Sequence, residues 1–445
     1  MRKFASFIML FACLQAYALP HYELAYRLSG NASMMIEDGK VDQFIQRPVL
    51  GGSFAVEFLP TGRWHCLQQW NNASIGVGAS YLNLGNDKFL GSAFTAYGYM
   101  NMPFYNGTHF RIGARPTVGL AAVTKTYKNT LPDDIAPYSM AKDATGKYIA
   151  NWSVGSILNA YLALELYMDF PIKDGFEITL NGGWHHISNG SIMHPNAGYN
   201  MLGGEIGLRY HPMSGERSAV SGERMTTRQL VEEVEKPWAV EISATGGVKQ
   251  NYYRDNMNGM QFYGAATLKA AAYWVPVAIF RIGAGVDAFY DGYYAAVNDE
   301  FKALNPEGTA ITYFGKTYLK TSEVKNCFRV GVSIQPEFII GKLTAGLHVG
   351  FYVYDPIKNL EPYSTVTDKS SKDYDPNALH PGDDPFDRGV FYNYDFTKAS
   401  NYQDGWCYMQ FVLKYHVLDH LFVQLGLKTH GVRAEFIDAG LGVAF

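Results

Sequence analysis

The residues whose types and spacing could do chemistry lie together in Trp184-His185-His186-Ile187-Ser188-Asn189-Gly190. On an extended chain His186 and Ser188, two residues apart, point to the same side. A histidine beside a serine can take the hydroxyl proton while the oxygen attacks a carbonyl carbon, which is acyl transfer. That chemistry needs a third group to orient the imidazole. In the next strand-like run, 199–211, Asn200 shares a face with Leu202, Ile206 and Leu208, whereas Glu205 falls on the other. Asn200 is therefore the expected third member, with Glu205 the alternative if the strand register is displaced by one. An amide oxygen can accept the imidazole N–H but brings no negative charge. Asn189 and the backbone N–H of Gly190 are the candidate oxyanion donors. His185, His186 and His194 suggest no metal centre, because His185 and His186 face opposite sides of one strand.

The element that must carry this pair is a strand running from about Phe176. Phe176, Ile178, Leu180 and Trp184 share the face of His186 and Ser188, while Glu177, Thr179, Asn181 and His185 line the other. A histidine and a serine thus continue an apolar stripe. Sixteen such runs follow one another: 22–29, 50–59, 72–83, 92–101, 109–124, 156–170, 175–188, 199–211, 237–252, 259–273, 277–292, 326–340, 343–353, 404–416, 420–429 and 433–445. Most are near the roughly 9–11 residues of a tilted membrane strand or longer. In the sixth, Leu162, Leu164, Leu166 and Met168 alternate with Tyr161, Glu165 and Asp169.

Composition agrees. Of 445 residues 45 are Gly, 32 Tyr and 27 Phe, and only 18% are charged. Glycine where strands crowd and aromatics at the interfaces suit a membrane barrel. A net charge of -4, dispersed along the chain, argues against nucleic acid as a partner. Residues 1–18 read as a signal peptide: Arg2 and Lys3, an apolar core, then Ala16-Tyr17-Ala18. Cys66, Cys327 and Cys407, at irregular spacing, match no zinc or redox motif. The fold expected is all-β, a transmembrane antiparallel outer-membrane β-barrel of about 14–16 strands, closed once. It divides into an N-terminal half, 19–211, a polar connection, 212–236, and a C-terminal half, 237–445. Two separate small barrels are the other closure the pattern allows. The connection reads as a short periplasmic helix or the junction of an ancestral duplication.

Placing the C-terminus in the periplasm makes 171–174, 274–276, 341–342 and 417–419 tight periplasmic turns, and sends the long segments 125–155, 293–325 and 354–403 outside. Short periplasmic turns and long outer loops are the rule in such barrels. His186 and Ser188 then sit at the outer rim on the lipid-facing side, where polar groups are costly. Alternatively, they are only a polar pair at an interface.

His186-Ile187-Ser188-Asn189-Gly190 followed by Pro195-Asn196-Ala197-Gly198 resembles the motif of the outer-membrane lipid A 3-O-deacylases, the PagL-type acyloxyacyl hydrolase family. The resemblance covers 50–211. It implies an eight-stranded barrel with a Ser-His-Glu triad: Ser188 as nucleophile, His186 as base and Asn189 as an oxyanion contact. The family's glutamate falls at Asn200, a departure at a catalytic position. The chain is thus expected to be a carboxylic ester hydrolase that removes an acyl chain from lipid A (lipopolysaccharide) without a cofactor. The final Phe445 resembles the residue read by the outer-membrane barrel assembly machinery. The alternative is a non-enzymatic barrel, either a transport channel or a lipid-binding homologue.

Overall fold

The computed structural model describes residues 23–37, 41–59, 65–135, 143–173, 175–212, 227–250, 261–293, 310–313, 316–319, 327–354, 362–363, 368–371, 407–431 and 433–445. The signal peptide and most of segments 293–325 and 354–403 lie outside them.

Eight antiparallel strands form the first barrel: β1 (Glu23–Met35), β2 (Val49–Leu59), β3 (Ser74–Asn83), β4 (Ser92–Asn106), β5 (Arg111–Val123), β6 (Leu158–Lys173), β7 (Phe176–Ser188) and β8 (Tyr199–Tyr210). Each pairs with its neighbour in sequence, and β8 returns to β1 in continuous register from Tyr26↔Tyr210 to Met35↔Met201. In the C-terminal half come β9 (Trp238–Lys249), β10 (Tyr263–Val277), β11 (Phe280–Asp291), β12 (Ala310–Tyr313), β13 (Lys316–Leu319), β14 (Phe328–Ile340), β15 (Leu343–Tyr354), β16 (Pro362–Tyr363), β17 (Cys407–Leu418), β18 (Leu421–His430) and β19 (Arg433–Ala444). Strands β9, β10, β11, β14, β15, β17, β18 and β19 close a second barrel by pairing β19 with β9. Strands β12, β13 and β16 form a small separate sheet.

All sixteen strand-like runs are barrel strands, but they close as two barrels of eight, not once. The reason is the pairing of β8. Its edge is satisfied by β1, so nothing remains for β9 to extend, and β9 finds its partner in the last strand. The interiors fit this size, since eight strands leave a lumen just wide enough for side chains to fill. In the first barrel Glu57 is fully buried and accepts from Arg209 Nε at 2.6 Å and Tyr99 Oη at 3.0 Å, with Arg27 at 3.6 Å and Arg115 at 3.9 Å. In the second, Glu337 accepts from Lys414 Nζ at 2.6 Å, Arg281 Nε at 2.7 Å and His348 Nε2 at 2.8 Å. A charge out of water is tolerated only with such partners.

The outer walls are apolar. Leu164, Leu166, Leu202 and Ile206 are exposed on the first barrel, and Ile334, Leu425 and Leu441 on the second. Within the 212–236 connection, Thr227–Glu232 is a helix. The tight turn expected at 274–276 lies instead at 278–279, because β10 continues to Val277 with an irregularity between Trp274 and Val277. Pro276, which has no N–H for the ladder, sits in that irregularity.

Candidate active site

Strand β7 carries the His-Ser pair, and the alternation read from sequence is the one adopted. Ile178, Leu180 and Trp184 are exposed on the outer wall, while Thr179, Asn181, His185 and Ile187 are buried inward. By the same parity His186, half-buried, and Ser188, buried at 8% exposure, continue the outer face, at the end of the strand away from the tight β6–β7 turn. Across the ladders, Leu162 and Asn200 flank His186, and Ala160 faces Ser188.

The side chains meet there. His186 Nε2 lies 2.8 Å from Ser188 Oγ, and its Nδ1 lies 2.8 Å from Asn200 Oδ1. Asn200 Oδ1 can only accept, so Nδ1 carries the proton and Nε2 is left basic toward the serine. That is the tautomer an acyl-transfer base requires.

Glu205 is not part of the group. The β7–β8 register sets it opposite Asn181, whose Nδ2 lies 3.4 Å from Glu205 Oε2 inside the lumen. It is five residues from Asn200 along β8, about 17 Å at the rise of a strand. The register holds without a one-residue slip, so Asn200 occupies the third position.

Two residues to which the sequence reading gave no role shape the site, one in the turn before β8 and one on β7. Gly198 has φ +79°, and a Cβ built on it would lie 2.7 Å from His186 Cε1 and 3.3 Å from the Ser188 Cβ. Only glycine combines that backbone with that close approach. Trp184, one of the apolar stripe, stacks on His186 with ring centroids 5.3 Å apart and planes 16° apart. The signal for both was in the sequence, as the final glycine of Pro-Asn-Ala-Gly and a tryptophan two residues before the histidine on its own face.

Asn189 and Gly190 group with the second of two compact units, which takes in Leu131–Ser156, Asn189–Ala197 and Thr227–Phe445. Within that unit Asn189 ties its own loop to Ser156. Its Nδ2 donates to Met193 O at 2.7 Å and Ser156 Oγ at 2.9 Å, and its backbone N–H donates to Asn196 Oδ1 at 2.9 Å. Both kinds of Asn189 donor are thus engaged within that unit. His194 donates its backbone N–H to Gln250 Oε1 at 2.8 Å, and its ring Nε2 lies 3.1 Å from Gln250 O. Among the described residues no group of three or more His, Cys, Asp or Glu side chains could hold a metal ion.

Two family models match the chain. The family model described as lipid A 3-O-deacylase (PagL) matches residues 52–209. The model described as acyloxyacyl hydrolase, C-terminal domain, matches 238–369 and 386–445. Among solved structures the chain is similar to the outer membrane enzyme PagL, at 11% identity and a TM-score of 0.23, covering 41% of this chain and 97% of that one. It is also similar to neisserial surface protein A (NspA), at 9% identity and a TM-score of 0.25, covering 43% of this chain and 96% of that one. No curated protein matches. One model falls on each barrel, and the chain belongs to the PagL-type lipid A 3-O-deacylase and acyloxyacyl hydrolase family of the bacterial outer membrane.

Proposed function

We propose that this protein hydrolyses an ester-linked acyl chain of lipid A, from the outer leaflet, with Ser188 as nucleophile and His186 as base. The observation that carries the reading is the unbroken chain Ser188 Oγ–His186–Asn200 on the lipid-facing wall. Ser188 Oγ attacks the acyl carbonyl carbon while its proton passes to His186 Nε2. The carbonyl passes through a tetrahedral oxyanion. Collapse breaks the bond to the sugar oxygen, which takes the proton from His186 and leaves as an alcohol. Water then gives a proton to His186, attacks the acyl-serine, and releases the fatty acid with Ser188 restored. The substrate reaches this face sideways through the membrane, the acyl chain lying along exposed Leu164 and Leu202.

Both lumens carry paired buried charges, which favours chemistry on the wall over conduction. Asn200 favours a second reading, a lipid-binding homologue with little turnover, because an amide cannot neutralise the imidazolium. Mass spectrometry of lipid A from cells expressing the protein separates the two. Loss of one acyl chain is expected, and Ser188→Ala should abolish it, lowering turnover by at least about 10³-fold while heat-modifiable mobility on gels is unchanged. Unaltered lipid A in cells making the natural barrel would leave the lipid-binding reading.

A further inference from the structure

Where the family places a carboxylate, this chain has the neutral Asn200, and the imidazolium formed during acyl transfer needs its charge stabilised from elsewhere. The surroundings of the ring narrow the sources. Nδ1 faces Asn200 Oδ1, Nε2 faces Ser188 Oγ, and the Cε1 edge meets Gly198. What remains is the pair of ring faces, and Trp184 lies nearly parallel on one of them.

We propose that Trp184 is a positioning residue for the acyl transfer, its indole face stabilising the imidazolium that His186 becomes. This inference rests on the proposed Ser188–His186 chemistry. An aromatic face attracts a cation within about 6 Å of its centroid, and tryptophan does so best. The attraction grows when water is absent, and here the neighbours of Trp184 across the two ladders are Leu164 and Leu202, both exposed on the apolar wall. The stack also fixes the plane of the ring, keeping Nε2 aimed at the serine through the proton transfer. Trp184 thereby supplies part of what a carboxylate would supply, without placing a second charge on the lipid face. Its own position, half exposed on the wall, would otherwise need only a leucine.

The test is the rate at which a fluorophosphonate labels Ser188 in the full-length barrel, with lipid A deacylation measured in parallel. Labelling forms the Ser188 Oγ–P bond and expels fluoride, with the hydroxyl proton leaving through His186. Trp184→Leu is expected to slow it about tenfold, and Trp184→Phe less. Because either change could disturb packing, the deciding series keeps the shape of the ring. Mono-, di- and trifluorotryptophan at position 184 withdraw π density stepwise, and the logarithm of the rate should fall with each fluorine. A flat fluorine series overturns the proposal even if Trp184→Leu is slow, since packing alone would then explain the loss. Absence of any Ser188-dependent labelling in the natural protein would instead sink the Ser188–His186 reading, and Trp184 with it.

Discussion

His185 and His186 are neighbours in the chain and strangers in their surroundings. His185 points into the lumen, where its Nδ1 lies 2.8 Å from Tyr161 Oη and its Nε2 3.8 Å from Glu165 Oε1. His186 points out of the barrel, between Ser188 and Asn200. By inventory the inner histidine is the better equipped, with a hydroxyl on one nitrogen and a carboxylate near the other. By position it is closed off, between Glu165 and Tyr161, both buried. The outer one has weaker partners and lies, half-buried, on the side of the apolar wall. The side of the wall, set by the parity of one strand, separates a structural histidine from a candidate base.

The sharpest way to break this contrast is at Gly198. A Cβ there meets His186 and forces a left-handed backbone on a residue that resists it, so the imidazole must move. Gly198→Ala is expected to lower lipid A deacylation about 10²-fold, the scale of a displacement near 1 Å at a reacting group, while the barrel still folds. Activity within twofold of the natural protein would show that the ring does not depend on this contact.

A smaller effect, of opposite sign, is expected at the third position. Asn200→Glu restores a charge beside the imidazole and should raise turnover at least about tenfold, part of the roughly 10⁴ that a charged and correctly oriented partner can contribute. Glu205→Gln, in the lumen, should leave turnover unchanged. The reverse result, with Glu205→Gln inactive and Asn200→Glu silent, would mean the working register differs from the one described.

The smallest effect belongs to the inner histidine. Tyr161→Phe removes its hydroxyl partner and is expected to change turnover less than twofold, while lowering the denaturant midpoint of the barrel by the loss of one buried hydrogen bond, about 1 kcal/mol. A large kinetic loss would tie the lumen to the wall and erase the distinction between the two histidines.

How much of this was legible in the sequence follows from which quantities are local. Side-chain parity is local, because an extended chain alternates whatever its neighbours do. Phe176, Ile178 and Leu180 therefore announced the outer face, and with it the outward placing of His186, Ser188 and Asn200. The existence of sixteen strands followed from the same alternation. Closure was not legible, since it depends on whether β8 finds β1 or β9, residues far apart in sequence with equally good apolar faces. Buried charges decide between them only when paired, and Glu57 with Arg27, Arg115 and Arg209 draws on four strands.

The site divides the same way. The sequence by itself determined the residues and their side of the wall. Tertiary structure alone decided that His186 stands opposite Asn200 and not near Glu205, because register is fixed by the whole β7–β8 ladder and its turn. It alone decided that Asn189 directs its donors to its own loop and to Ser156, and that Gly198 and Trp184 enclose the imidazole. Hydrogen-bond partners and ring contacts are matters of a few tenths of an ångström, and no spacing along a chain specifies distances between strands.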